Sequence, residues 1–176
     1  MKKMNKKGFT LVELLAVIVI LAIVLIIAVP GVLTIIDNSR RDSLISSAKT
    51  LKDATRLFAT TSDDVVAVPA TVDTSIYVPL KCLETDVSQN GFGKTISDTE
   101  SYIEIVKNGN NFSYKAHLYS GAGEMTVAPS VAIEDLTRAN VRAWDSTDKT
   151  FTQATADATH IKLDANCKVP TTTPGA

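Results

Sequence analysis

Two features near the N-terminus have residue types that permit chemistry on the chain itself. Gly8 and Phe9 follow a basic leader, and Gly8 has no Cβ to crowd an enzyme that cuts the Gly8–Phe9 peptide bond. Cleavage there would turn the Phe9 nitrogen into an N-terminal amine, which has a pKa of ~7.7–8.0 and carries a positive charge at neutral pH. Glu13 follows about one helical turn later and supplies a carboxylate of opposite charge.

Glu13 stands at the entrance to a long apolar run. The 23 residues from Leu14 to Ile36 carry no charge, and a helix of that length, ~35 Å, spans a hydrocarbon layer of ~30 Å. A simple anchor gains nothing from Glu13, since a charge at the bilayer centre is unfavourable by ~2.5–3.5 kcal/mol and needs a partner. We therefore interpret Glu13 as an assembly residue whose partner is the Phe9 amine of its own chain or of an adjacent identical subunit.

The segment KGFTLVEL, residues 7–14, resembles the N-terminal motif of type IV pilins and the related pseudopilins. The similarity extends through Pro30, so it covers no more than the first third of the chain. The resemblance implies that a prepilin peptidase removes the leader, residues 1–8, by cutting between Gly8 and Phe9, and then methylates the Phe9 amine. It also implies that Glu13 pairs with the N-terminus of a neighbouring subunit and that Pro30 kinks the helix.

The apolar run has two other interpretations. A simple single-pass anchor fits its length but leaves Gly8, Phe9 and Glu13 without a role. A secretory signal peptide would have a shorter apolar core and a small-residue cleavage site, whereas Pro30 closely follows the one candidate site at Ala28. The pilin-like interpretation accounts for more of these residues than either alternative.

Charge distribution predicts the orientation and argues against one class of partner. The four lysines of the leader precede the apolar run, so the positive-inside bias places the N-terminus in the cytoplasm and the rest of the chain outside. The formal net charge is −1, and removal of the leader leaves 14 basic against 19 acidic side chains. This mildly acidic chain lacks the broad basic excess of nucleic-acid-binding domains, so we expect no specific nucleic-acid partner.

Cys82 and Cys167 are the two cysteines of the chain. An even count in a domain outside the cytoplasm favours one disulfide, which would contribute about 4 kcal/mol, with two independent buried thiols as the alternative. His117 and His160 have no zinc-ligand spacing, and we interpret both as structural or solvated residues of strands. Four aspartates match no calcium loop and are interpreted as turn residues: Asp145, Asp148, Asp157 and Asp164. No metal or cofactor is predicted.

Hydrophobic periodicity predicts one long helix from about residue 9 to about residue 60. Its first half, residues 9–36, is apolar on all sides, and its second half, residues 37–61, is amphipathic. One face of the second half carries Leu44, Ala48, Leu51, Thr55 and Phe58 at helical spacing. Pro30 lacks a backbone N–H group, so a kink or a local loosening is predicted there.

The remaining residues, 62–176, are predicted to form a globular domain. Residues 62–93 contain Pro69 and Pro79 and are predicted to be a connecting loop (the αβ-loop) with little regular structure. Residues 94–165 are predicted to form an antiparallel sheet, which includes a hairpin of residues 102–107 and 112–119 around an Asn-Gly turn. Further strands are expected at 125–128, 140–144 and 160–163, followed by a C-terminal tail, residues 166–176. A long helix packed by its outer half on an antiparallel sheet is an α+β arrangement and is the pilin fold.

No constellation of catalytic side chains accompanies these features, so the sequence predicts a structural subunit and not an enzyme. The hypothesis is a type IV pilus subunit that is stored in membrane lipid and polymerised into a surface filament for adhesion, motility, aggregation or DNA uptake. Its partners would be identical or related pilin subunits, a prepilin peptidase and the pilus assembly machinery. Two alternatives stay open: a pseudopilin of a competence or type II secretion system, and a membrane-tethered extracellular binding domain.

Overall fold

The computed structural model describes residues 8–62, 75–108, 111–145, 160–164 and 166–169. One helix precedes six strands, and the α+β class predicted from the sequence is confirmed. The chain divides into two compact units, residues 1–38 and 39–176. The helices and strands are α1 (Leu11–Thr61), β1 (Ser75–Pro79), β2 (Tyr102–Asn108), β3 (Asn111–His117), β4 (Met125–Val127), β5 (Val141–Ala143) and β6 (His160–Lys162).

The first unit contains the apolar part of α1. Every Leu, Ile and Val side chain from Leu11 to Ile36 is at least 41% exposed. In the described part of the chain, α1 is the helix that is long and apolar enough to cross a membrane. The helix assignment continues through Pro30, although this residue cannot donate a hydrogen bond to the carbonyl of Ile26. The kink at Pro30 stays a prediction.

The second unit contains the amphipathic part of α1, and its core forms on the face that the periodicity predicted. Leu44, Ala48, Leu51 and Thr55 are each 0% exposed, and Phe58 is partly buried against the same cluster. Their spacing of three and four residues puts them on one side of the helix, where they share a hydrophobic core with apolar residues of the sheet. The helix ends at Thr61.

A four-stranded sheet with the order β3-β2-β1-β6 packs into this core. The antiparallel pair of β2 and β3 is the predicted hairpin, and Asn108 pairs with Asn111 at its end. Ile103 and Ile105 of β2 and Ala116 of β3 lie in the core cluster. The two positions between this last pair are Gly109 and Asn110. Because Gly and Asn accept the positive φ angles of a two-residue hairpin turn, these residue types favour this register.

The sheet has two features that the sequence did not predict. Ser75–Pro79, inside the predicted loop of residues 62–93, forms the inner strand β1, which pairs with β2 on one side. On its other side β1 pairs with β6, and the two strands run parallel, so the sheet is not antiparallel throughout. All five residues of β1 are buried, so the strand lacks the polar alternation that identifies a strand exposed on one face. Pro79 is tolerated because it occupies the last position of the strand.

Strands β4 and β5 form a separate antiparallel pair, and charged residues join this region to α1. Arg138 makes two hydrogen bonds to the carboxylate of Asp42, of 2.7 and 2.6 Å. Lys52 lies 3.3 Å from the carboxylate of Glu134. Exposed pairs of this kind each contribute little to stability, about 0–1 kcal/mol, but they fix which side of the helix the second sheet occupies.

A tight loop between β1 and β2 also contacts α1. The Asn90 side chain organises this loop, since its Oδ1 accepts hydrogen bonds of 3.0 and 2.9 Å from the backbone N–H groups of Phe92 and Lys94. A Cβ atom built on Gly91 would overlap the carbonyl oxygen of Arg40 in the helix. The loop therefore depends on glycine at this position for its close approach to the helix backbone.

We predict that Gly91→Ala destabilises the second unit by about 1–3 kcal/mol, because the added methyl group meets helix backbone that cannot move aside. Thermal unfolding of the full chain in detergent, followed by circular dichroism, measures this effect. Gln89→Ala, an exposed change in the same loop, is the control and should unfold as the wild type does. Equal midpoints for Gly91→Ala and the wild type would contradict the close contact.

Candidate processing and assembly site

Gly8 and Phe9 immediately precede the start of α1, and the structure leaves both exposed. A Cβ built on Gly8 meets nothing within 4 Å, and the Phe9 side chain is 91% exposed. The peptide bond between them is therefore free of packing against the described part of the chain. Nothing in the fold of these described residues requires glycine at position 8.

Thr10 and Glu13 form a capping box at the first turn of α1. The Glu13 Oε2 atom accepts hydrogen bonds from the backbone N–H of Thr10 at 2.8 Å and from its hydroxyl at 2.9 Å. The Thr10 hydroxyl oxygen accepts a bond of 3.3 Å from the backbone N–H of Glu13. These bonds satisfy N–H groups that a helix N-terminus otherwise leaves without partners.

The sequence reasoning identified Glu13 but missed Thr10. The signal was present, because Thr-x-x-Glu directly before an apolar run is the pattern of a capping box. All contacts of the Glu13 carboxylate use Oε2, and within the described residues its Oε1 accepts no hydrogen bond. One carboxylate can therefore cap its own helix and still present an oxygen to a cation outside the chain.

Residues 3–29 match the family described as the prokaryotic N-terminal methylation motif. The chain carries the prepilin-type N-terminal motif. This motif is the hallmark of type IV pilins, and it supports a pilin-like or pseudopilin-like structural subunit. The matched segment includes Gly8, Phe9 and Glu13 and ends before Pro30. No curated protein and no solved structure matched the chain.

Cys82 and Cys167 are joined by a disulfide, with their Cα atoms 5.5 Å apart. The bond links the turn that follows β1 to the segment that follows β6, across 85 positions of sequence. Closing a loop of this size stabilises the fold by about 4 kcal/mol, because it reduces the conformational entropy of the unfolded chain. The disulfide therefore holds the parallel strand β6 beside β1, where only a three-residue ladder joins the two strands.

His117 belongs to a buried polar network on one face of the sheet and not to a metal site. Its Nε2 lies 3.3 Å from Glu104 Oε2, and its Nδ1 lies 2.9 Å from the Tyr102 hydroxyl. The Ser75 hydroxyl donates a bond of 2.9 Å to Glu104 Oε1. Lys115 Nζ lies 4.0 Å from Glu104 Oε2. These contacts fix the orientation of side chains that strands β1, β2 and β3 place side by side.

Among the described residues no group of three or more Cys, His, Asp or Glu side chains could hold a metal ion. Asp164 accepts bonds of 2.8 and 3.0 Å from the backbone N–H groups of Asn166 and Lys168, so it organises a turn. Asp145 is exposed, and Asp148 and Asp157 lie outside the described residues. For His160 the structure gives the backbone pairing with Ser75 in the parallel ladder.

The buried network predicts a pH dependence of stability. Burial raises the pKa of Glu104, but hydrogen bonds from His117 and Ser75 and the charges of Lys115 and His117 lower it by more, so the pKa lies below its usual 4.5. A carboxylate whose pKa is lower in the folded state stabilises the fold fully above pH 4.5. Its contribution is lost as the pH falls through the lower folded pKa.

We expect Glu104→Gln to reduce the loss of stability between about pH 5 and pH 2, because glutamine cannot take up a proton. Some loss should remain, since hydrogen bonds with Arg138 and with the Lys168 backbone lower the pKa values of Asp42 and Asp164. Urea unfolding at a series of pH values measures the slope of the free energy of unfolding against pH. Glu100→Gln, which removes an exposed carboxylate outside the network, should retain the wild-type slope. Equal slopes for all three proteins would show that Glu104 does not titrate as described.

Proposed function

We propose that the chain is a structural subunit of a type IV pilus, stored in the membrane as a precursor and polymerised into a surface filament. One observation carries this proposal: the apolar segment of α1, residues 11–36, exposes every large aliphatic side chain and has a single carboxylate, Glu13, at its N-terminal end. The methylation motif supports it independently, because the matched residues contain both the cleavage candidate and this carboxylate.

Processing would prepare the chain for assembly. A prepilin peptidase would cut between Gly8 and Phe9, remove leader residues 1–8 and methylate the Phe9 amine. The new amine would be a cation beside an apolar surface, and its nearest opposite charge would be a Glu13 carboxylate. We propose that this amine approaches Glu13 Oε1 of an adjacent subunit, while Oε2 keeps its bonds to Thr10.

Assembly would exchange one apolar environment for another. In the precursor, residues 9–36 would lie in lipid with the N-terminus in the cytoplasm. In the filament the same surface would pack against helices of identical or related subunits. Since lipid tails are as apolar as leucine, transfer of the helix from lipid to the filament changes the hydrophobic free energy little. The preference for the filament must therefore come from helix packing, the charge pair and the assembly machinery. Residues 37–61 and 62–176 would form the outer part of each subunit.

A pseudopilin of a competence or type II secretion system is the second candidate, and the same motif favours it, because both classes carry it. A membrane-tethered extracellular binding domain would need the apolar helix but no carboxylate at its entrance. The tethered domain differs from the other two candidates in processing and in polymerisation, so two experiments separate it from them.

We predict that the chain recovered from cells begins at Phe9 and carries one additional methyl group. Intact mass and N-terminal peptide mass measure both changes in one preparation. Gly8→Val should retain the leader, because valine crowds the cleaved bond in the peptidase, whereas the described fold leaves space for its side chain. A wild-type chain that keeps residues 1–8 would contradict the processing step and favour the tethered domain.

We expect Glu13→Gln and Glu13→Ala to lower filament yield by about tenfold or more, because each leaves the neighbouring amine without an anion in an apolar surrounding. Membrane insertion of the precursor should not change. Glutamine still offers an oxygen to Thr10, so Glu13→Gln separates the charge pair from the helix cap. The measurement is the amount of subunit in sheared surface filaments relative to membrane. Normal filaments from Glu13→Gln would show that capping suffices and that the charge pair is absent.

A further inference from the structure

The second unit has a shallow groove with an acidic rim. Its volume is about 810 Å³, and its lining includes Asp53, Ala54 and Leu57 of α1 and the loop residues 84–87. Asp53, Glu84 and Asp86 are all exposed at this groove, and no basic residue lines it. We call this surface the acidic groove.

A basic surface lies beside the acidic groove on the same helix. Lys49 and Arg56 are both exposed, and their spacing of seven residues places them on one line along α1. Lys49 directly precedes Thr50, and Arg56 directly precedes Leu57. Thr50 and Leu57 line the groove, so Lys49 and Arg56 are rotated from it by about 100° around the helix axis. We call the pair the basic ridge.

The charges of both surfaces lack partners within the described part of the chain. Neither the two cations of the basic ridge nor the three carboxylates of the acidic groove form an ion pair or a side-chain hydrogen bond there. Nearby residues of α1 behave differently, since Asp42 pairs with Arg138 and Lys52 pairs with Glu134. The helix therefore presents two adjacent, oppositely charged surfaces whose side chains form no ion pair with the rest of the described residues, although the charge of Arg56 acts on the nearby Tyr114.

We propose that the acidic groove of one subunit docks the basic ridge of a second copy of this chain. This proposal rests on the filament function proposed above and assigns the contact between the outer parts of neighbouring subunits. Lys49 and Arg56 of one copy would approach Asp53, Glu84 and Asp86 of the next copy, and Leu57 would supply apolar contact at the groove wall.

A second copy of the chain is the occupant that these surfaces favour. A contact that joins two different surfaces of identical molecules leaves one of each surface free at the ends, so it builds an open polymer whenever the rotation between subunits does not close a ring. Both required surfaces are present on one molecule, and their charges are complementary. Leu57 is 66% exposed and Phe112 is 56% exposed, and these are the two large apolar side chains that the described part of the second unit leaves exposed. Apolar contact inside a charged rim is the usual composition of a protein interface.

The contact would contribute orientation more than affinity. Exposed ion pairs are individually weak, and charge complementarity chiefly selects partners and fixes their register. The apolar helices can slide along one another without a large change in buried area. Pairing between opposite charges on the outer units favours particular axial positions of one subunit on the next, so sliding away from these positions is unfavourable.

Charge reversal tests the proposal, because each surface can be inverted separately. Asp53→Lys with Asp86→Lys makes both surfaces basic, and Lys49→Glu with Arg56→Glu makes both acidic. Each double variant should lower filament yield by about tenfold, since repulsion replaces attraction at every subunit contact. The quadruple variant restores opposite charges and should recover to within about threefold of wild type. Folded double variants with wild-type yield would overturn the proposal, as would a quadruple variant no better than either double.

Three controls make these outcomes specific. Asp98→Lys with Glu100→Lys changes the net charge by the same amount at exposed positions outside the groove and should leave filament yield unchanged. Thermal unfolding of each full-chain variant in detergent reports folding. If a reversal variant unfolds, the neutral pair Asp53→Asn with Asp86→Asn replaces it and should give a smaller loss of yield, and an unchanged yield would overturn the docking proposal.

Comparison with Glu13→Gln separates this proposal from the proposed function. Wild-type filaments that are lost in Glu13→Gln but persist in the folded charge-reversal variants would overturn the docking contact alone. A wild-type chain that forms no filament in the cells that produce it would overturn both proposals.

Discussion

The apolar surface of residues 11–36 is the constraint on which the rest of the molecule depends. Every large aliphatic side chain in this segment is exposed, and an aliphatic surface of this extent is unfavourable in water. The surface must be covered by lipid or by protein at each stage, and the hydrophobic effect does not distinguish strongly between the two. This near-neutrality is what a subunit needs if it is to leave a membrane and join a polymer. A charged or polar helix could not be stored in the membrane, and a helix with a strong preference for lipid would not leave the membrane.

Near-neutral transfer also means that small polar features determine the outcome. Glu13 is the only charge between the leader and Asp37, and the cap bond to Thr10 keeps it from being an unsatisfied anion in the chain. The capping box and the proposed pair with a neighbouring amine use different oxygens of one carboxylate, so the two roles do not compete. A neutral residue with a single oxygen would lack both the second oxygen and the negative charge. This explains in physical terms why a carboxylate suits the third helical position, where a neutral cap residue would be enough for the helix alone.

The parts of the structure that the sequence predicted are those encoded by local periodicity. The core face of α1, with Leu44, Leu51 and Thr55, followed from helical spacing, and the β2–β3 hairpin followed from alternation around an Asn-Gly turn. Strand β1 did not, because burial on both faces removes the alternation, and its parallel neighbour β6 is distant in sequence. The network around Glu104 was hidden for a similar reason. Its members come from three strands, and only the register brings Ser75, Glu104 and His117 together.

The two halves of α1 show how one element can serve both association and order. Hydrophobic association is not directional, so an apolar helix that packs among copies of itself has many axial positions of similar energy. Directional interactions must select one of these positions. Glu13 can do so at one end of the helix, but a single charge pair leaves rotation about that point unrestrained. The amphipathic half is suited to a second restraint, because its core face is occupied by the sheet while Lys49, Arg56 and Asp53 remain exposed on other faces. In the proposed filament, charges on the second unit would therefore add a restraint on rotation that the Glu13 pair does not supply.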